Sequence, residues 1–75
     1  MEYVKMFNCD IIAVGDVVDF SYLKQTYADN TEEVLESGCV WVANNESDEP
    51  IIAGFEIIER NRNPLKSIVK VTEFY

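Results

Sequence analysis

Apolar and polar side chains alternate most clearly between Ile51 and Glu59. The odd positions Ile51, Ala53, Phe55 and Ile57 make one apolar face, and the even positions Ile52, Gly54, Glu56 and Ile58 make a mixed one. A period of two predicts a half-buried strand. The glycine inside it predicts a bulge or a tight bend. Glu2 to Phe7 is a shorter run rich in aromatic and β-branched residues, followed by a turn at Asn8-Cys9-Asp10. Ile11 to Val14 is apolar and is interrupted by Gly15-Asp16. Val17 to Leu23 reads as one strand, with Val18, Phe20 and Tyr22 on one face and Asp19 and Ser21 on the other. Gln25 to Asn30 is either an extension of that strand or a loop.

From Asn30 the signals become helical. Asn30 or Thr31 can cap, Glu32 and Glu33 suit the positive end of the helix dipole, and Gly38 stands where a C-terminal cap belongs. The body, Glu32 to Ser37, is too short to be stable alone, so Val34 and Leu35 are expected to pack onto the sheet. Cys39 to Ala43 is a strand that is apolar on both faces, Asn44 to Pro50 an acidic loop, Asn61-Arg62-Asn63-Pro64 a strong turn. Leu65 to Tyr75 is the last strand, with Val69 and Val71 on one face and Lys66, Ile68 and Lys70 on the other. These elements predict a mainly β fold of the α+β kind in a single domain over residues 1–75. It is a small antiparallel, partly open barrel or bent sheet of four or five strands, with one short helix inserted near residues 31–37. Sequential strands are expected to pair.

The stretch Ala13-Val14-Gly15-Asp16-Val17-Val18-Asp19-Phe20 resembles the Gly-Asp and β-branched opening of SH3-like barrels, which implies a fold of that size. Composition agrees with a folded chain: 48% of the residues are hydrophobic, too many for a disordered one. A chain of 75 residues buries only about 60% of its unfolded surface, so its stability is modest and a partner or a second copy would help it. The longest apolar runs are four to five residues, far below the ~20 that a membrane-spanning helix needs. No signal segment opens the chain, so a cytoplasmic location, in a bacterium or a phage-infected host cell, is expected. Cys9 and Cys39 are expected to be reduced, buried thiols, a Cys9–Cys39 bridge being the alternative.

Charge changes the picture most. The net charge is −8. Thirteen acids and two bases (Lys5, Lys24) lie in residues 1 to 59, and four bases (Arg60, Arg62, Lys66, Lys70) face one acid, Glu73, in the rest. Residues 29 to 49 hold seven acids and no base, around an apolar stretch centred on Trp41. Such a chain repels polyanions, so direct nucleic-acid binding is not expected, and a basic protein surface is the favoured partner.

Histidine is absent, which removes the commonest general base and metal ligand and with it triad chemistry. No glycine-rich phosphate loop is present. Asn44 to Glu49 spaces oxygen ligands as a calcium loop does, but Glu49 and Phe55 stand where an EF-hand needs glycine and glutamate. No enzyme, cofactor or metal is therefore expected.

The acids admit three readings: a solvated face that keeps the chain soluble, a docking surface for a basic protein, or carboxylates that imitate phosphates and block a nucleic-acid-binding groove. Trp41 is either core or an exposed interface anchor. The basic segment 60–70 either pairs with neighbouring acids or docks on a second copy, making a homodimer. In size, acidity and lack of histidine the chain resembles the small inhibitor and host-takeover proteins of bacteriophages. The functional expectation is a non-enzymatic protein-binding module that occludes a basic surface. Glu32, Glu33, Glu36, Glu46, Asp48 and Glu49 would form its rim, with Trp41 and Tyr27 as anchors. A small structural subunit of a virion or complex is the alternative.

Overall fold

The computed structural model describes residues 3–6, 9–24, 28–44 and 50–75. It begins with a two-stranded antiparallel ribbon, β1 (Tyr3–Lys5) and β2 (Ile11–Ala13). Val4 and Ile12 stand opposite each other and are buried, while Tyr3, Lys5 and Ile11 face out. The connection turns through Cys9 in the left-handed region (φ 70°), and the Met6 N–H donates to the Asp10 carbonyl at 2.7 Å. A second tight turn follows at Gly15, whose φ of 95° suits a residue without a β-carbon. There Asp16 Oδ2 accepts from the Ala13 N–H at 2.9 Å.

β3 (Val17–Asp19) then joins β4 (Cys39–Asn44), β5 (Pro50–Glu59) and β6 (Ile68–Phe74) in a four-stranded antiparallel sheet of order β3-β6-β5-β4. Register shifts at Trp41/Ala43, Gly54/Phe55 and Ile57/Glu59 curl the sheet into a half-barrel, as bulges do. The mainly β, partly open architecture read from the sequence is therefore present. Sequential pairing holds for β1–β2, β4–β5 and β5–β6, but β3 pairs with β6 and so forms the edge of the sheet opposite β4.

The strand expected over Val17–Leu23 stops at Asp19. Its ladder partner ends at Ile68, and the last bond is from the Phe20 N–H to the Ser67 carbonyl, 2.8 Å. Beyond that point no neighbouring strand continues among the described residues, and the chain makes one helical turn, α1 (Phe20–Leu23). The turn places Phe20 and Leu23, three residues apart, together in the core. Tyr22 does not share their face: it is half-buried and its hydroxyl donates to the Ile11 carbonyl at 3.1 Å.

α2 (Thr31–Ser37) is the inserted helix. Asn30 occupies the cap position without a side-chain cap bond; the buried Thr31 hydroxyl instead accepts from the Ala28 N–H at 2.8 Å. Gly38, at φ 76°, ends the helix in the left-handed conformation. Leu35 enters the core and Val34 packs against its edge. The last strand starts at Ile68 rather than Leu65, because Pro64–Lys66 form a 3-10 turn capped by the Asn63 side chain, which accepts from the Leu65 N–H at 3.1 Å.

The core lies inside the curl. Phe20, Ile12, Ala53, Val69 and Val71 are fully enclosed there, and the rings of Phe20 and Phe55 meet at 5.3 Å between centroids. Every buried side-chain nitrogen and oxygen among the described residues has a hydrogen-bond partner. Both thiols are free, and neither is buried as expected: Cys9 sits on its exposed turn and Cys39 is half-buried on the outward side of β4.

Candidate functional site

The helical period decides where the acids of α2 point. Thr31 and Leu35 face inward, so Glu32, Glu33 and Glu36 face solvent. With Asp29 and Asn30 they line an open, shallow concavity. The concentration is partly offset. Arg60 Nη1 lies 2.5 Å from Glu36 Oε1, with both side chains about half exposed. A pair so exposed contributes at most about 1 kcal/mol. Lys70 stands directly across from Glu56 on β5. Among the described residues the basic segment thus makes one ion pair, with an acid of α2 rather than of a neighbouring strand as one reading of the sequence expected. Tyr27, Glu46, Asp48 and Glu49, the remaining expected site residues, lie outside the described residues.

Trp41 belongs to a different surface and does not line the acidic concavity. On β4, Val40 and Val42 take the inward positions, and the shift after Trp41 brings Ala43 inward as well. Alternation then turns Trp41 outward, where it is 55% exposed, which removes the core reading. Its indole N–H donates to the Ala43 carbonyl at 3.0 Å, which holds the ring against its own strand.

The sequence reading missed Trp41's neighbours. Trp41 stands opposite Ile52, and Ile52 exchanges two backbone bonds with Tyr75 (2.8 and 3.4 Å), continuing the β5–β6 ladder. Directly paired residues share a face of the sheet. Trp41, Ile52 and Tyr75 therefore form one apolar row across three strands on the solvent side. Its two end residues are both more than half exposed, Tyr75 at 63%.

Gly54 makes the neighbouring floor. Ala53 and Phe55 point into the core, so a side chain at Gly54 would point out, and its β-carbon would stand 3.1 Å from both Tyr75 Cε2 and Glu73 Cγ. The missing side chain lets an edge of the Tyr75 ring come close to the strand. From there the phenol donates to Glu73 Oε1 at 2.5 Å. In the sequence, only a glycine on the outward face of the longest strand hinted at this close approach.

That hydrogen bond, followed by slight desolvation and the charge of Glu73, holds the Tyr75 phenol above its ordinary pKa of 10.0. The folded group keeps its proton more tightly, so the bond is fully present below 10.0 and is lost as pH rises through the higher folded value. Glu73→Gln is expected to bring the Tyr75 titration down, read by NMR of the ring carbons. An unchanged midpoint would show that the phenol does not hold the carboxylate in solution.

The free edge of β4 is blunted. Ser37 Oγ accepts from the Cys39 N–H at 3.2 Å and shares its proton between the Val34 and Cys39 carbonyls (2.6 and 3.0 Å). The Trp41 indole occupies the Ala43 carbonyl further along. Strand addition at this edge is thereby hindered, and the row presents its side chains rather than its backbone.

Among the described residues no three Cys, Asp or Glu side chains gather as a metal site, and no helix is long and apolar enough to cross a membrane. Compared with known protein families, curated proteins and solved structures, the chain matches none.

Proposed function

We propose that the chain is a non-enzymatic protein-binding module that covers a basic surface of a larger protein. The observation that carries this reading is the Trp41–Ile52–Tyr75 row: two large aromatic residues, each more than half exposed on one sheet face, one of them held by a hydrogen bond to its own strand. Each aromatic ring buries roughly 150–250 Å² when covered. Tryptophan and tyrosine are the residues most enriched at the centres of protein interfaces. The charge supports a cationic partner. Glu73 touches the row, and the sequence between β4 and β5 contains Glu46, Asp48 and Glu49 without a base. The acids of α2 extend the negative field and speed the approach of such a partner. A groove that binds nucleic acid is one surface of this kind, and covering it would inhibit its owner.

The test is affinity chromatography with the tagged chain, identification of the partner, and titration of the purified pair across salt. Affinity is expected to fall steadily between about 0.05 and 0.5 M salt, as the Debye length shortens from roughly 14 to 4 Å. An affinity indifferent to salt would remove the electrostatic half of the proposal.

One observation favours the assembly-subunit reading. At β3, the other edge of the sheet, Val17 is exposed, and no side-chain cap comparable to Ser37 covers its strand among the described residues. Stoichiometric self-association in sedimentation, without any partner, would select that reading instead.

A further inference from the structure

The charges on the outward face of the sheet are not equivalent. Glu56 stands across from Lys70, and Glu36 is taken by Arg60. Glu73 makes no ion pair among the described residues, and its side chain is held by the Tyr75 phenol. Along β6 the nearest base, Lys70, is three residues away, about 10 Å, which is about one Debye length. An exposed glutamate ordinarily samples many rotamers. This one is bonded at a single oxygen lone pair and keeps the others open, since a carboxylate accepts about four hydrogen bonds. Beside it lie the Tyr75 ring, close to Gly54, the Ile52 side chain, and Trp41, whose backbone is two strand spacings, about 10 Å, from that of Tyr75.

A fixed carboxylate next to aromatic faces is the arrangement that a guanidinium fits. Its planar fork can bond both oxygens while its flat face stacks on a ring. A lysine ammonium gains only the point charge and stays more strongly hydrated. We propose that Glu73, positioned by the Tyr75 phenol, receives an arginine side chain of the partner, with the Trp41–Ile52 part of the row covered by the apolar surface beside that arginine. This inference rests on the docking role of the row proposed above and names the chemistry that the row selects. Because the phenol bond removes the ordering cost in advance, Tyr75→Phe should weaken the site without removing any charge.

The experiment follows amide and indole N–H signals of the ¹⁵N-labelled chain during titration with hexa-arginine and, separately, hexa-lysine peptides. Hexa-arginine is expected to shift the signals of Trp41, Ile52, Glu73 and Tyr75, and to bind more tightly than hexa-lysine. Glu73→Gln is expected to weaken hexa-arginine binding about tenfold, the loss that goes with one hydrogen-bonded charge. The double change Glu32→Gln, Glu33→Gln is expected to weaken it less. If hexa-arginine still shifts Trp41 and Ile52 while Glu73→Gln binds like the parent, the guanidinium assignment is overturned and the docking row survives. If the shifts are confined to α2, both the assignment and the row fail. The spectrum of each variant reports its folding directly, and Glu73 is exposed, so its substitution leaves the core intact.

Discussion

Phe20→Ala is expected to leave a large fraction of the molecules unfolded in plain buffer. The ring is completely enclosed and packs against Phe55 at 5.3 Å between centroids. It also fills the place where β3 runs out of ladder partner and the chain turns into α1. Truncating a buried phenylalanine costs about 3–5 kcal/mol, from the lost transfer energy and the cavity left behind. A domain of this length has roughly 4–11 kcal/mol of total stability, at about 0.05–0.15 kcal/mol per residue. The lower end of that range, below about 5 kcal/mol, does not survive the loss. Phe20→Leu keeps most of the volume and should cost about 1.5 kcal/mol or less. Urea unfolding followed by circular dichroism compares the three chains. A midpoint for Phe20→Ala within error of the parent would mean that α1 does not anchor the core.

Trp41→Ala is expected to act in the opposite place, on binding and hardly on folding. More than half of the side chain is already in water, so its removal opens no cavity. Its indole bond to the Ala43 carbonyl is a single hydrogen bond, worth about 1 kcal/mol net. Against the partner isolated by the tagged chain, the loss should be that of an interface hot spot, about 2–4 kcal/mol, or roughly 30-fold to 1,000-fold in Kd. The loss should appear mainly as faster dissociation. Charge removal at Glu32 and Glu33 should instead slow association and flatten the salt dependence. Calorimetry or surface-based kinetics on the two sets of variants separates the row from the acidic helix. Equal affinity of Trp41→Ala and the parent would remove the row as the docking centre.

Much of the framework could be read directly from residue patterns, for local reasons. The alternation of Ile51 to Ile57 survives in β5 because one face must be dry and the other wet. α2 ends where Gly38 places it, because a left-handed residue is a short-range property, and it begins at Thr31 after an Asn30 cap that makes no side-chain cap bond. The turn before Pro64 follows from Asn61 and Asn63 bonding their own backbone, at 3.0 and 3.1 Å. The helical turn at Phe20 was not legible in the same way. Val-Val-Asp-Phe-Ser-Tyr alternates well enough to be a strand, and only the absence of a partner beyond Ile68 ends it.

The candidate site divides along the same line. That Trp41 is the centre of an acid-flanked apolar stretch is a property of the chain as written. That Glu32, Glu33 and Glu36 share a solvent face follows from helical period alone. Whether Trp41 points in or out does not, because both faces of Cys39 to Ala43 are apolar, and the choice belongs to the core that Val40 and Val42 complete. The neighbours of Trp41 are more remote still. Ile52 is eleven residues away and Tyr75 thirty-four, and they meet only through the β4–β5–β6 register and its bulges.

Composition and period thus determined a small, acidic, curled β fold with one inserted helix, because burial of alternate side chains and capping of helix ends act over a few residues. Tertiary structure alone decided which rings reach solvent and which carboxylate pairs with a cation. Those choices depend on strand order and register, set by contacts between residues far apart in the chain.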